Sequence, residues 1–217
     1  QGRGTGPLDD VLRFLAVSPV GEWTSGALSE ARGSGRGALQ LSLDIPLNRS
    51  EDTRIKGLVT LADKDQASLQ LRPTIPVFSA LRGTIAITET RLDVQARTRV
   101  WGHEMTVQGQ RGPDGAVRFA ARGSVSAEGL KQAHEYPALA RLAPHLTGEA
   151  PVTVAVTAGA RTEVQVSSTL QGIGTDLPAP LTKAAAAVWP LTVTYLTEGE
   201  RGQQDLILVD MGHSQPL

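Results

Sequence analysis

The sequence contains no cysteine, and this absence removes a group of chemistries at once. With none among its 217 residues, the chain cannot form disulfide bonds, zinc–thiolate sites or a thiol nucleophile. The absence leaves the cellular compartment open, because many periplasmic and cytosolic proteins also lack cysteine.

Charge of one sign and aromatic side chains are also scarce. The formal net charge is −1, the arginines are scattered, and only 4% of the residues are aromatic. Nucleic-acid binding needs clustered Lys and Arg or stacking platforms, so we expect no nucleic-acid partner. Hydrophobic residues make up 40% of the chain and are mostly Leu, Val, Ile and Ala, which is enough for one sizeable aliphatic core or two small ones.

Long apolar runs are absent as well. No uninterrupted stretch approaches the roughly 20 residues that a helix needs to cross a bilayer. The chain begins at Gln1 without a charged and then apolar leader. We therefore expect a piece of a longer protein whose targeting signal lies elsewhere.

The chemistry-bearing residues do not converge in the sequence. "HEMTV" resembles the start of a zinc-protease helix, but no second histidine follows His103 by four residues. The glycine runs "GRGTG" and "GSGRG" lack the context of a phosphate loop and are predicted to be flexible links. We expect no enzyme activity, metal or cofactor, and ordinary surface or cap positions for the four histidines, which are His103, His134, His145 and His213.

The first 37 residues are predicted to be a helical segment followed by a glycine-rich link. Leu8, Val11, Leu12 and Leu15 have the spacing of one helical face and predict a helix over Pro7–Ala16, which Pro19 would end. A weaker helix is predicted over Glu22–Ala31. The link is "RGSGRG".

From residue 38 to residue 217 the apolar period changes from that of a helix to two. In "ALQLSLDIPL" every second residue is apolar, and similar short runs recur to the end of the chain. About ten antiparallel strands are predicted, interrupted by short helices at about 126–146 with a hinge near Pro137. "RGPDGAVRF" predicts a tight hairpin turn.

The alternating faces have two interpretations. Spacing alone favours the inner surface of a closed β-sandwich, but an open groove lined by the same aliphatic stripes has the same periodicity. Between the last strands, the stretch Thr175–Leu196 is too short and too interrupted by proline to span a bilayer. It is predicted to be a crossover with a short helix over residues 183–187, capped by Thr182, that places Leu177, Leu181 and Trp189 over one edge of the sheet. That crossover would be structural packing or a lid over acyl chains.

Several segments resemble the periplasmic region of YhdP-type proteins, members of the AsmA-like superfamily that includes TamB. They are "GAVRFAARGSVSAEGL", "ALARLAPHLTGEAPVTVAV" and, most specifically, "SSTLQGIGTDLPAPLTKAA". The resemblance implies an envelope-spanning protein, anchored in the inner membrane of a Gram-negative bacterium, whose β-elements form a long hydrophobic groove. That groove would carry phospholipid towards the outer membrane, and this chain would be one internal periplasmic section without catalytic residues.

On this basis we expect a mainly β fold with a few short helices, its curved antiparallel sheet forming a groove or open sandwich. The implied partners are phospholipid acyl chains and neighbouring β-sections of the same parent chain. The candidate edge strands, which are Ala38–Leu47 or its immediate neighbour at the start and Gln204–Val209 at the end, would self-associate in the isolated chain. The alternative is a scaffold domain for envelope spacing or partner docking that binds no lipid. The residues expected to face lipid are Leu39, Leu41, Leu43, Ile45, Val59, Leu61, Ile85, Ile87, Val152, Val154, Val156, Leu177, Leu181 and Trp189.

Overall fold

A computed structural model describes residues 2–24, 26–44, 54–159, 162–197 and 206–212. Most of these residues form strands. The strands are β1 Gly2–Pro7, β2 Arg32–Ser34, β3 Arg36–Asp44, β4 Arg54–Leu61, β5 Ala67–Gln70, β6 Phe78–Thr88, β7 Leu92–Val100, β8 His103–Arg111, β9 Val117–Ser126, β10 Leu146–Ala158, β11 Thr162–Ser168, β12 Ile173–Thr175, β13 Leu191–Thr197 and β14 Leu206–Met211. The helices are α1 Leu8–Ala16, α2 Pro19–Trp23, α3 Ala127–Leu130 and α4 Pro137–Leu142, with 3₁₀ turns at Asp63–Asp65 and Ala143–His145.

The described strands join one antiparallel sheet. The main path runs β1-β3-β4-β6-β7-β8-β9-β10-β11-β13-β14, and the short strands β2, β5 and β12 pair beside it. The sheet is open, because β1 and β14 stand at opposite ends of this path. The prediction of a mainly β, antiparallel fold is confirmed, and the sheet has fourteen strands where the sequence indicated about ten.

The hairpin between β8 and β9 follows the predicted turn chemistry. Gly115 has a φ of +81°, a conformation that glycine adopts without a steric penalty. Asp114 accepts a hydrogen bond from the Ala116 amide at 3.3 Å and pairs with both terminal nitrogens of Arg118. This guanidinium lowers the pKa of Asp114 to about 2. The turn is therefore held by its own side chains.

Helix α1 forms because its apolar residues lie on one face, and that face packs onto the sheet. Leu8, Val11, Leu12 and Leu15 are all buried, and their core includes Val59 of β4. Burying each such side chain contributes about 1.5–3 kcal/mol. Strand β2 passes so close to α1 that a Cβ at Gly33 would lie 2.8 Å from side-chain atoms of Leu8 and Leu12.

The second helix is placed differently from the prediction. It covers Pro19–Trp23 rather than Glu22–Ala31, because Ser18 caps its first turn and Pro19 occupies a first-turn position. The Thr24 hydroxyl donates back to the Val20 carbonyl at 2.9 Å, and Gly26 follows with a φ of +72°. Local polar groups therefore begin and end this helix, and the residues after Gly26 form turns.

The glycine-rich stretches are not flexible links, which corrects the sequence prediction. Gly2–Pro7 forms edge strand β1 and pairs with β3, and Arg32–Ser34 forms β2 and pairs with β5. The boundary predicted between residues 37 and 38 lies inside β3. Pairing with a neighbouring strand outweighs the weak strand propensity of glycine here.

The helical interruption at 126–146 is confirmed, whereas the short helix predicted over residues 183–187 is wrong. α3 and α4 connect β9 to β10. Lys183 instead forms an isolated bridge with Thr175. The hydroxyl of Thr182 donates to the Leu177 carbonyl rather than capping a helix, so local hydrogen bonds within the connection replace helical ones.

Candidate functional site

One face of the sheet carries apolar side chains in two rows that cross the strands. Each residue in a row is the direct cross-strand partner of the next. The central row consists of Leu39, Val59, Ile85, Val94, Gly109, Phe119, Val156, Val164, Tyr195 and Ile207. The second row consists of Leu61, Gly83, Ala96, Val107, Ala121, Val154, Val166, Val193 and Val209.

A glycine interrupts the central row without breaking its apolar surface. A Cβ at Gly109 would overlap the Phe119 ring and would lie 3.2 Å from Cβ of Val94. The ring therefore lies over the glycine and fills the gap. The central row is continuous from β3 to β14.

The opposite face is polar along the corresponding path. Side chains alternate across a strand, so the neighbours of the apolar residues point away from them. The partners crossing β6 to β13 on this outer face are Thr84, Gln95, Gln108, Ala120, Ala155, Gln165 and Thr194. The two faces differ in chemistry because of the period-two pattern alone.

The apolar face is covered at its beginning and uncovered farther on. Val59 and Leu61 are 1% and 5% exposed beneath α1. From β7 to β13 the members of both rows are only half-buried, except Gly109, which is buried beneath the Phe119 ring. A closed sandwich would bury these positions as fully as Val59. The two rows are therefore open from β7 onwards, whereas residues beside them on the same face are buried, among them Leu92, Met105 and Val117.

Trp23 of α2 closes one side of this open region. Its side chain packs against Leu92, Val117 and Ala158, which lie at the ends of β7, β9 and β10. The Arg111 guanidinium carbon lies 4.5 Å from the centroid of the Trp23 ring. Helix α2 thus forms a wall beside the central row.

The structure places the predicted lipid-facing residues in three groups. Leu39, Val59, Leu61, Ile85 and Ile87 lie on the apolar face but share the core with α1, so Val59 and Leu61 are closed to a ligand. The half-buried residues Leu41, Val152, Val154 and Val156 lie on the same face.

The remaining predicted residues contribute differently. Leu43 pairs with Ile55 at a position that continues the same alternation along β3. Ile45 lies outside the described residues. Leu177, Leu181 and Trp189 belong to the connection over residues 176–190 and not to the rows. Their contact with lipid remains a prediction.

Sequence reasoning missed the middle of the face. Val107, Phe119 and Ala121 occupy its centre, on β8 and β9. Their signal was present as alternation in "MTVQG" and "VRFAA", but glycine, alanine and arginine weaken the apolar contrast there. Only strand pairing shows that these residues continue the stripe.

The most conspicuous polar cluster is a helix cap. His103 Nε2 lies 2.6 Å from Ser126 Oγ, and His103 Nδ1 lies 3.5 Å from a carboxylate oxygen of Glu149. These are the residue types of a hydrolytic triad. Ser126 Oγ, however, accepts the Gly129 amide at 3.0 Å and caps α3. The cluster therefore fastens α3 to the sheet.

The described residues contain neither a metal-binding cluster nor a membrane-spanning helix. Among them, no three or more His, Asp or Glu side chains are grouped so that they could hold a metal ion. His213 lies outside them. Within the same ranges, no helix is both long and apolar enough to span a bilayer.

An open antiparallel sheet with one uncovered aliphatic face and one polar face defines a groove-type β-protein. The chain matches the YhdP protein family over residues 1–214 and belongs to that family, which is consistent with the AsmA-like superfamily. Membership indicates a lipid-transport-related protein of the cell envelope, from a non-enzymatic transport or scaffold family. No curated protein and no solved structure matches the chain.

Proposed function

We propose that this chain is a section of a hydrophobic groove that carries phospholipid between the inner and outer membranes of a Gram-negative bacterium. The acyl chains would lie on the open part of the apolar face, across β7 to β13. The observation that carries this proposal is the continuous pair of apolar rows, which stay half-exposed beyond the cover of α1. In this proposal the section lies in the periplasm, as part of a protein anchored in the inner membrane.

The length of the open region fits an acyl chain. Strands lie about 4.8 Å apart, so the five steps from β7 to β13 along the main path span about 24 Å. A bilayer core of about 30 Å corresponds to about 15 Å for each leaflet. An acyl chain therefore fits along the open rows without reaching the covered core.

The chemistry of the rows favours passage rather than tight capture. Their members are aliphatic, aromatic or glycine residues, with no charged side chain among them. Apolar contact is non-directional and scales with buried area, so neighbouring positions along a row are similar in energy. A lipid could therefore shift between them without breaking specific hydrogen bonds.

One observation favours the alternative role as a scaffold. Both faces of edge strand β14 are exposed, and Ile207 and Val209 are each 62% exposed. Such an edge can pair with a strand from another section of the parent chain. This docking extends the groove and is also possible without lipid.

The groove proposal can be tested with a matched pair of substitutions on β9. Ala121 belongs to the second row, whereas Ala120 points to the polar face and is exposed. Native mass spectrometry after incubation with phosphatidylethanolamine should show retained lipid in the wild type and in Ala120→Glu. Ala121→Glu should lose it, because a carboxylate among the acyl chains is costly to desolvate.

Two results would overturn the proposal. One is a wild-type chain that retains no phospholipid under these conditions. The other is equal retention by Ala120→Glu and Ala121→Glu, which would place the lipid away from the rows. Circular dichroism of both variants checks that the sheet is intact.

A further inference from the structure

Large apolar side chains are exposed at one end of the sheet, outside the two rows. They belong to the connection between β9 and β10 and to the connection over residues 176–190, and they are 36–46% exposed. We call these residues the end surface, and they are Tyr136, Leu139, Leu142, Leu181 and Val188.

The two connections leave the sheet at the same place. Leu146 at the start of β10 pairs with Thr175 at the end of β12. The Asp176 amide donates to the His145 carbonyl at 3.2 Å, and the two side chains approach to 3.0 Å. The segments that carry the exposed apolar residues are therefore held together at their bases.

The connection over residues 176–190 exposes one charged side chain, that of Asp176 at its start, which is 75% exposed. Apart from Asp176, which faces His145, Lys183 is its only charged residue. Lys183 is 4% exposed and turns inward, where Nζ donates to the carbonyls of Leu170 at 2.8 Å and Ile173 at 2.6 Å. An exposed connection whose single lysine points inward presents an apolar surface, and such surfaces mark interaction sites.

The shape of this connection favours insertion over docking against a flat partner. Residues 178–182 are exposed one after another, so this stretch stands away from the sheet. A stable protein interface needs about 800 Å² from each partner. A few apolar side chains on a projecting loop are instead suited to entering the interface of a bilayer.

The surroundings of the end surface also fit a bilayer. Trp101 and Tyr136 meet edge to face with ring centroids 6.0 Å apart, and both carry the polar tips that suit aromatic rings at the headgroup level. Arg141 is exposed on the same connection and can reach lipid phosphates, whereas the exposed Lys131 donates to Glu128 at 2.6 Å. We propose that the end surface inserts into the boundary between acyl chains and headgroups of a phospholipid bilayer.

Vesicle flotation of the purified chain tests this inference. Vesicles of phosphatidylcholine and phosphatidylethanolamine should carry the wild type upwards. The triple variant Leu139→Ser, Leu142→Ser, Leu181→Ser should partition at least about tenfold less, because each serine removes buried apolar area. The control is Val17→Ser, since Val17 is 86% exposed at the end of α1, and its flotation should match the wild type.

Several outcomes would overturn the inference. The first is a wild type that does not float, and the second is flotation that survives the triple substitution. The third is self-association in the absence of vesicles that the triple substitution abolishes. That result would assign the end surface to contact with a second copy of the chain. Ala121→Glu should still float while losing retained phospholipid. Failure of the groove proposal and failure of this inference are thereby distinguishable.

Discussion

The Arg111 guanidinium carbon lies 4.5 Å from the centroid of the Trp23 ring, which joins the end of β8 to helix α2. Trp23 also packs on Leu92 and Val117. The Arg111 guanidinium also donates to the Thr90 carbonyl at 3.1 Å. The guanidinium is therefore held both by this hydrogen bond and by the Trp23 ring. This contact holds α2 as the wall of the open region.

A double-mutant cycle on this pair should show coupling. We expect Trp23→Leu and Arg111→Met together to cost less than the sum of the single substitutions, with a coupling free energy of about 0.5–2 kcal/mol. Urea unfolding followed by circular dichroism measures each free energy of unfolding. Strictly additive effects would show that the ring and the guanidinium do not stabilise each other.

A charge introduced into the covered and the open parts of the face should have different consequences. Val59→Asp places a carboxylate at a position that is 1% exposed and should lower the free energy of unfolding by several kcal/mol. Val154→Asp lies in the half-exposed second row and should leave the protein folded with less bound lipid. Thermal unfolding and native mass spectrometry separate these effects. An unfolded Val154→Asp variant would indicate that the face is closed at β10.

Lys183 predicts a pH dependence of stability. Burial lowers the pKa of its ammonium below the ordinary value, so the unfolded chain binds the proton more tightly. Below the lowered pKa, Lys183 is protonated in both states, and the folded state bears the full cost of burying the charge. As pH rises from that pKa towards 10.5, the folded state loses the proton first, and the free energy of unfolding increases. Relative to Lys183→Met, the wild type should gain stability over that window.

Urea unfolding of both proteins at pH 7 and pH 10 checks this dependence. At pH 7 the substitution should still cost about 1–3 kcal/mol, because it leaves the carbonyls of Leu170 and Ile173 without their donor. A stability difference that does not change with pH would contradict the lowered pKa.

Edge strand β14 should promote association of the isolated chain. Ile207 is 62% exposed and lies on the central row opposite Tyr195. Light scattering should show concentration-dependent association that Ile207→Pro suppresses by removing a backbone donor. Ile207→Ser retains the donor and separates backbone pairing from apolar contact. A wild type that stays monomeric at high concentration would contradict pairing through β14.

Much of the fold could be predicted from local pattern. The helix over Leu8–Ala16, the turn at Gly115 and the short helices around Pro137 follow from spacing and turn chemistry within a few residues of each feature. Errors arose where distant residues decide the structure. The glycine run at residues 2–6 became a strand because β3 lies beside it.

The candidate site divides in the same way. Alternation predicted that Leu39, Val59 and Val154 would lie on an apolar face, because side chains on one strand change sides with every residue. It could not predict that α1 would bury Val59 while Val154 stays half-exposed, since that depends on packing between segments far apart in the chain.

By itself, the sequence determined that this protein would be rich in antiparallel strands with one apolar and one polar face. That outcome depends only on a period of two, which each short segment carries within itself. The tertiary structure alone decided that the strands join one open sheet and that Phe119 fills the gap at Gly109. It also turned Lys183 inward. These features depend on cross-strand register and long-range packing, which no local pattern encodes.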